Sequence, residues 1–280
     1  MRVAVVGGNG QLGQALVSTA PAGVEVTALS RPYFDVTEID VDKLAGSDVI
    51  INTAAYTNVD AAESDETTAH AVNALAPGEL ARVADRLNAR FIHVSTDYVF
   101  GAGCLQRPLH VNDPKNPDTV YGRTKLAGEQ AVLAALPSAT IVRTAWLFTG
   151  DLQPHKDFVS TMLAMARAAQ PANVVADQMG SPTCAVDLAE GLWQIAEREI
   201  DGVLHGVGAG QASWFELARE VYALAGAKPT LVQPCTTAQF PRPARRPEWS
   251  VLSTESWRAA ELTPLPEWRT ALRNSVSITL

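Results

Sequence analysis

The sequence predicts an α/β protein whose first half is a doubly wound parallel sheet. Three observations lead there. Val3-Ala4-Val5-Val6 is a continuous apolar run, as in a strand buried on both faces. It ends in Gly7-Gly8-Asn9-Gly10-Gln11-Leu12-Gly13, which opens a helix with Leu12, Ala15, Leu16 and Thr19 at helical spacing. Apolar runs and helical stretches then alternate to about residue 150, the pattern of βαβ units. The 280 residues are 47% hydrophobic and 19% charged, which suits one large domain or two modest ones sharing a core.

Strand, glycine turn and helix together are the setting of a Rossmann-type dinucleotide site. Gly7 and Gly10 would let the backbone approach a pyrophosphate, and Gly13 would let helix pack on strand. The helix N-terminus, with Asn9, Gln11 and Leu12, offers N–H groups and a positive dipole end to the phosphates. The spacing is GxxGxxG rather than GxGxxG, and a plain glycine turn would need no ligand. Its place directly after a strand is what points to a cofactor.

Val24 to Leu29 reads as the second strand, ending at Ser30-Arg31. An acid there would bind the ribose 2′-OH of NAD, whereas an arginine suits the 2′-phosphate of NADP. NADPH is therefore expected, with NADH as an accepted second. Asp35 and Val36 are expected at the adenine edge. Val49-Ile50-Ile51-Asn52, the third strand, opens into Thr53-Ala54-Ala55-Tyr56-Thr57. Small residues here leave room for a ligand, so Ala54, Ala55 and Tyr56 join the cofactor set.

Val59 to Leu87 reads as one alanine-rich helix, with Asp60, Glu63, Asp65 and Glu66 as its solvated acidic face and Asn73 buried against the sheet. Phe91 to Val94 is the fourth strand, in which His93 reads as a plain strand residue. A polar loop over 101–120 with three prolines leads to a helix from Tyr121 to about Leu136, and Thr140 to Thr144 is strand five.

The chemistry centres on Tyr121-Gly122-Arg123-Thr124-Lys125 and Thr96. Tyrosine and lysine four apart share a helix face. The lysine charge favours the phenolate, lowering the tyrosine pKa from its usual ~10 toward a value useful for acid/base work. Thr96 offers a hydroxyl to hold a carbonyl oxygen. Such pairs also arise by chance, and only the dinucleotide setting gives this one weight.

The second half is less regular. Helix 156–169 places Phe158, Met162, Met165 and Ala166 on one side, as core. Val174 to Ala176 reads as a strand, 185–198 as a helix packing back on the sheet, Val203 to Val207 as a strand and 213–225 as a helix. Residues 229–247 are rich in proline and arginine, and Arg242, Arg245 and Arg246 could grip a diphosphate or simply line a surface loop. An amphipathic segment runs from about Glu267 to Val276. The expected division is a dinucleotide-binding domain over 1–150, joined by the 185–198 helix, and a smaller C-terminal α/β substrate-binding domain over 151–280.

A net charge of −8 argues against nucleic-acid or acidic-membrane partners. Cys104, Cys184 and Cys235 are scattered, without a CxxC or a histidine cluster, which suggests a reducing cytoplasm. No apolar run approaches the ~18 residues of a membrane span, and no leader is expected.

Five motifs occur in order: GxxGxxG, Ser95-Thr96-Asp97-Tyr98-Val99-Phe100-Gly101, Tyr121 to Glu129, Arg143-Thr144-Ala145-Trp146, and Asp177-Gln178-Met179-Gly180-Ser181-Pro182-Thr183. With them the chain resembles the extended short-chain dehydrogenase/reductases, and within these the dTDP-4-dehydrorhamnose reductase family, over nearly its whole length. The resemblance implies NAD(P)H-dependent reduction of the C4 ketone of dTDP-4-dehydro-L-rhamnose to dTDP-L-rhamnose by hydride transfer. It makes Thr96, Tyr121 and Lys125 the catalytic set: Tyr121 protonates the oxygen, Lys125 also holds the nicotinamide ribose, and Thr96 orients the carbonyl. Asp97 and Trp146 would contact the sugar, and Arg246 is expected to join the substrate set. Members that bind magnesium at a dimer interface carry a glutamate where Ala15 stands, so no metal and a monomer or weak homodimer are expected.

Other readings share this fold. A 4,6-dehydratase usually has Asp-Glu after the threonine, whereas Asp97-Tyr98 lacks the second carboxylate. An epimerase typically has an acid after strand two. A reductase or epimerase for another nucleotide-linked 4-keto deoxysugar, or a non-catalytic regulatory subunit, is the alternative.

Overall fold

The computed structural model describes residues 1–101 and 106–277. Cys104 and part of the 101–120 loop lie outside the described residues, as do residues 278–280. Strands β1 (Arg2–Val6), β2 (Glu25–Leu29), β3 (Val49–Asn52), β4 (Arg90–Thr96), β5 (Thr140–Thr144) and β6 (Gly202–His205) form one parallel sheet in the order β2-β1-β3-β4-β5-β6. The order reverses between β1 and β3, so their C-terminal ends open the crevice in which doubly wound sheets bind ligands.

Side-chain alternation fixes the layers. On β1, Val3 and Val5 pack under α1 (Gln11–Ser18) and α7 (Ala185–Arg198), with Leu16, Leu188 and Leu192. Ala4 and Val6 face the opposite side, with Leu80, Ala84 and Val132 from α4 (Ala76–Arg86) and α5 (Val120–Ala135). Helix α7 thus packs back on the sheet, against α1. Burying one leucine on this scale is worth roughly 1.5–3 kcal/mol.

The stretch from Val59 is not one helix. It divides into α2 (Val59–Ala62), α3 (Glu66–His70), a π-helical turn at Ala71–Leu75, and α4. The cause lies in local chemistry. Asn58 and Asp65 cap new starts by accepting from Ala61 N and Thr68 N. Pro77 has no N–H for the Asn73 carbonyl four residues back, so the ladder widens there. That carbonyl lies against Gly128 of α5, where a Cβ would sit 2.1 Å from it.

The acidic residues of this stretch are not simply a solvated face either. Asp60 pairs with Arg246 at 2.9 Å, and Glu63 accepts from Val120 N at 2.9 Å at the start of α5. Both carboxylates meet donors that come from distant parts of the chain.

Beyond β5, Ala172–Val175 pairs in parallel with Val232–Cys235. Helices α6 (Phe158–Arg167), α8 (Trp214–Leu224) and α10 (Trp268–Ser275) enclose a second core of Phe148, Val159, Leu163, Leu217, Val221 and Trp268. The buried side of α6 is Val159, Met162, Leu163 and Ala166, so Phe158 and Met165 are only half-buried. Phe158 turns toward a cavity between the cores. The short helix α9 (Glu255–Ala259) sends Trp257 back into the first core. No helix among the described residues is long and apolar enough to cross a membrane.

Helix α5 is tied to the sheet by a buried ion pair. Glu129 accepts from Arg143 of β5 at 2.8 and 2.7 Å and from Ser95 of β4 at 2.5 Å. Glu129→Ala leaves the Arg143 charge buried and alone, and is expected to cost about 3–5 kcal/mol. Urea unfolding of the variant checks this. A loss under about 1 kcal/mol would mean that the pair does not hold the helix.

Candidate active site

The glycine turn is shaped by contacts that leave no room for a Cβ. Gly7 has φ +87° and donates to Leu29 O at 2.8 Å, and a Cβ on it would meet Ala54 N at 2.6 Å. A Cβ on Gly13 would lie 2.2 Å from Gly7 O, so Gly13 serves the packing of helix on turn and does not line the cavity. Gly10 caps α1 without a side-chain hydrogen bond, which leaves first-turn N–H groups for a ligand.

From this turn a cavity of about 1510 Å³ runs along the sheet's C-terminal edge to the second core. Gly7, Asn9, Gly10, Gln11, Leu12, Ser30, Arg31, Asp35, Val36, Ala54 and Ala55 line its first part. Asp35 also accepts from Thr37 N and Oγ1, which holds its carboxyl below the usual range. Tyr56 is different. Its amide donates to Asn73 Oδ1 at 2.8 Å, and its hydroxyl donates to Asp65 at 3.5 Å. It packs on Ala62, Ala69 and Val120 and stays outside the cavity lining. Asn73 also donates to Tyr56 O and Thr124 Oγ1, so it clamps the loop to α5 rather than resting on the sheet.

Deeper in, Thr96, Asp97, Tyr121 and Lys125 meet. Thr119 caps α5 by accepting from Gly122 N at 3.0 Å, which places Tyr121 in the first turn and Lys125 in the next. Tyr121 meets Tyr98 edge to face at 5.3 Å. The Thr96 hydroxyl donates to Asp97 Oδ1 at 2.9 Å, and Asp97 Oδ2 makes no well-formed hydrogen bond. Burial pushes the Asp97 carboxyl up to about 6, against the lowering effect of the Ser250 and Thr96 hydroxyls.

The Tyr121 pKa is not lowered as the pairing with Lys125 suggested. Burial raises the phenol to about 12, with only the Thr96 hydroxyl opposing it. Burial pushes the Lys125 amine the other way, down to about 8, with the Glu129 carboxylate pulling it up. The amine donates to Val94 O at 2.7 Å and lies 3.3 Å from His93 Nε2. His93 is therefore more than a strand residue: it is fully buried between Lys125 and Asn52. The available signal was one polar residue within each apolar run, Asn52 at the end of β3 and His93 in the middle of β4.

At the far end Trp146 adopts φ +48° and stacks on Trp214, ring centroids 3.6 Å apart. Trp214 and Phe158 were not foreseen in this role, because nothing before folding brings residue 214 beside residue 146. Arg242, Arg245 and Arg246 line the cavity. Asp60 receives Arg246 at 2.9 Å, Arg242 at 3.6 Å and Ala244 N at 3.2 Å, and so holds this loop. Among the described residues no His, Cys, Asp and Glu group is arranged to hold a metal, and Ala15 is wholly buried.

A parallel sheet with a glycine turn at its reversal point, Thr96 at the end of β4 and Tyr121 and Lys125 on α5 beside it defines a short-chain dehydrogenase/reductase fold. The family model described as "RmlD substrate binding domain" matches residues 1–279, and the chain belongs to that family. It is 46% identical to a dTDP-4-dehydrorhamnose reductase of Mycolicibacterium smegmatis over 280 residues, 99% of this chain and 85% of that protein. It is 47% identical to one of Mycobacterium tuberculosis, over 99% of this chain and 92% of that one. A crystal structure of the Bacillus anthracis reductase in complex with NADP superposes with a TM-score of 0.91 at 31% identity, covering 98% and 97% of the two chains.

The raised Asp97 carboxyl has a consequence for stability. Its protonated form favours the fold, so that contribution is full below the ordinary carboxyl value and is lost as pH rises through about 6. Asp97→Asn removes the loss. Thermal and urea unfolding should find the variant more stable than the parent by about 3 kcal/mol at neutral pH, with the gap closing toward about pH 4. A variant less stable at neutral pH would contradict the assignment.

Proposed function

We propose that this protein reduces the C4 ketone of dTDP-4-dehydro-L-rhamnose to dTDP-L-rhamnose with NADPH. The observation that carries the reading is one continuous cavity. It joins an uncapped glycine turn, Arg31 and the Thr96, Tyr121 and Lys125 set to an aromatic pair and an arginine loop. The names of the M. smegmatis and M. tuberculosis relatives and the NADP bound to the B. anthracis protein support it.

The turn at Gly7 to Leu12 would hold the pyrophosphate, and Arg31 the 2′-phosphate. When bound, the nicotinamide supplies the two-electron reduction of the ketone. Tyr121 gives the proton to the carbonyl oxygen. Its raised pKa keeps it protonated at neutral pH, as a donor must be. Thr96 orients the same oxygen, which requires its hydroxyl to leave Asp97. Trp146, backed by Trp214, gives the sugar an apolar wall. Arg246 and Arg242, held ready by Asp60, face the diphosphate.

Two variants test the reading. Tyr121→Phe should lower turnover of the dTDP-linked ketone by about 10²–10⁴-fold, followed by NADPH absorbance. NADPH affinity, by fluorescence, should stay within about twofold of the parent, since the phenol is asked to act in chemistry rather than binding. Near-normal turnover would remove Tyr121 from the acid role. Arg31→Ala should weaken NADPH by about tenfold and leave NADH almost unchanged, because only NADPH carries the phosphate that the guanidinium meets. Equal losses for both would refute the phosphate contact.

A further inference from the structure

Asn52, His93 and Lys125 form a buried chain between two parts of the cavity. Asn52 and His93 stand side by side in the β3–β4 register. All three side chains are almost completely buried, so their polar atoms depend on one another.

The hydrogen-bond roles can be assigned in sequence. Ala54 N donates to Asn52 Oδ1 at 3.0 Å, which fixes the amide and turns Nδ2 toward His93. Nδ2 can only donate, and it lies 3.1 Å from His93 Nδ1. Nδ1 must therefore accept. A neutral imidazole carries one N–H, so here it is on Nε2. That N–H points at Lys125 Nζ, 3.3 Å away. An ammonium has no lone pair with which to receive it, whereas a neutral amine has one and still donates to Val94 O.

We propose that His93 is a positioning residue: with Asn52 fixing its tautomer, it holds Lys125 as a neutral, lone-pair-accepting amine in the unloaded cavity, and so links the charge on Lys125 to the loop at Ala54. The inference rests on the reductase reading for what Lys125 does when the site is full. The titratable and charged groups around Lys125 are His93 on β4, Asp97 just after it, Tyr121 and Glu129 on its own helix and, beyond Glu129, Arg143 on β5. Glu129 is already engaged by two of the three Arg143 nitrogens and by Ser95, so it offers the amine little further compensation. Burial against the pull of Glu129 takes the Lys125 amine only to about 8, where it still carries a proton at neutral pH, so the rest of the lowering falls to the His93 N–H. Disturbing the Ala54 amide, as a bound dinucleotide would, loosens the Asn52 amide and lets the imidazole turn its acceptor to Lys125, which then charges.

The decisive experiment is NMR of the full chain without ligand. Long-range proton–nitrogen spectra of histidine-labelled protein should show His93 as the Nε2–H tautomer, and the Nδ1–H form would overturn the proposal. Carbon shifts of labelled lysines, with Lys125→Arg for assignment, should show Lys125 titrating well below the ordinary lysine range. In His93→Gln an acceptor can face Lys125, and in Asn52→Asp the carboxylate draws the proton to Nδ1 and frees Nε2 to accept. Either variant should raise the Lys125 titration by at least about one pH unit. Having two guards against one failing to fold. An unmoved titration in a folded variant would overturn the proposal. Loss of turnover on the dTDP-linked ketone leaves these spectra untouched and bears on the reductase reading alone.

Discussion

The buried pair between Arg143 and Glu129 is the constraint on which the site depends. Arg143 reaches three partners at once. Two nitrogens meet Glu129, a third donates to Val111 O at 3.0 Å, and the guanidinium lies 5.1 Å from the Phe100 ring centre. Ser95 adds β4 to the same carboxylate. Strand, helix and the loops that carry Thr96 and Asp97 are thereby fixed to one another. Taking both charges out of water costs several kcal/mol per ion, so the gain is geometric rather than large net stability. Lys125 and Tyr121 lie one and two turns before Glu129 on the same helix, and inherit their placement from it.

Burial overrides what the pairing of a tyrosine and a lysine suggests in isolation. Near a surface, a cation one turn away lowers a phenol pKa. Here desolvation acts on both groups, raising Tyr121 and lowering Lys125, and leaves each closer to neutral. A charge on Lys125 does not offset what burial does to the phenol. Thr96 poses a related case, since its proton points at Asp97 until a carbonyl competes for it.

What could be read beforehand follows from the range of the interactions. The strands at Val49–Asn52 and Thr140–Thr144 were legible because a strand covered on both faces is a plain apolar run. Gly7 was legible because a positive φ packed against Ala54 N admits few residues. The break of the 59–87 stretch was harder, although Pro77 and the caps Asn58 and Asp65 were all visible, because alanine-rich periodicity masked them. Tyr56 looked like cofactor lining by position alone, and its side chain was claimed by Asp65 and a small apolar cluster. The Trp146–Trp214 stack, the Asp60–Arg246 pair and the His93–Lys125 contact join residues far apart in sequence, and no local pattern encodes such partners.

The return of β6, α7 and α9 to the first core bears on how the molecule is made. β5 remains an open edge until β6 at residues 202–205 has been synthesised, and the apolar face covered by α7 and Trp257 is complete only after residue 257. A nascent chain that has completed the glycine turn and the Tyr121 helix still carries an unpaired strand and an uncovered hydrophobic surface. Until those segments emerge the chain exposes apolar surface that the finished fold buries, and the contacts that bury it join residues far apart in sequence.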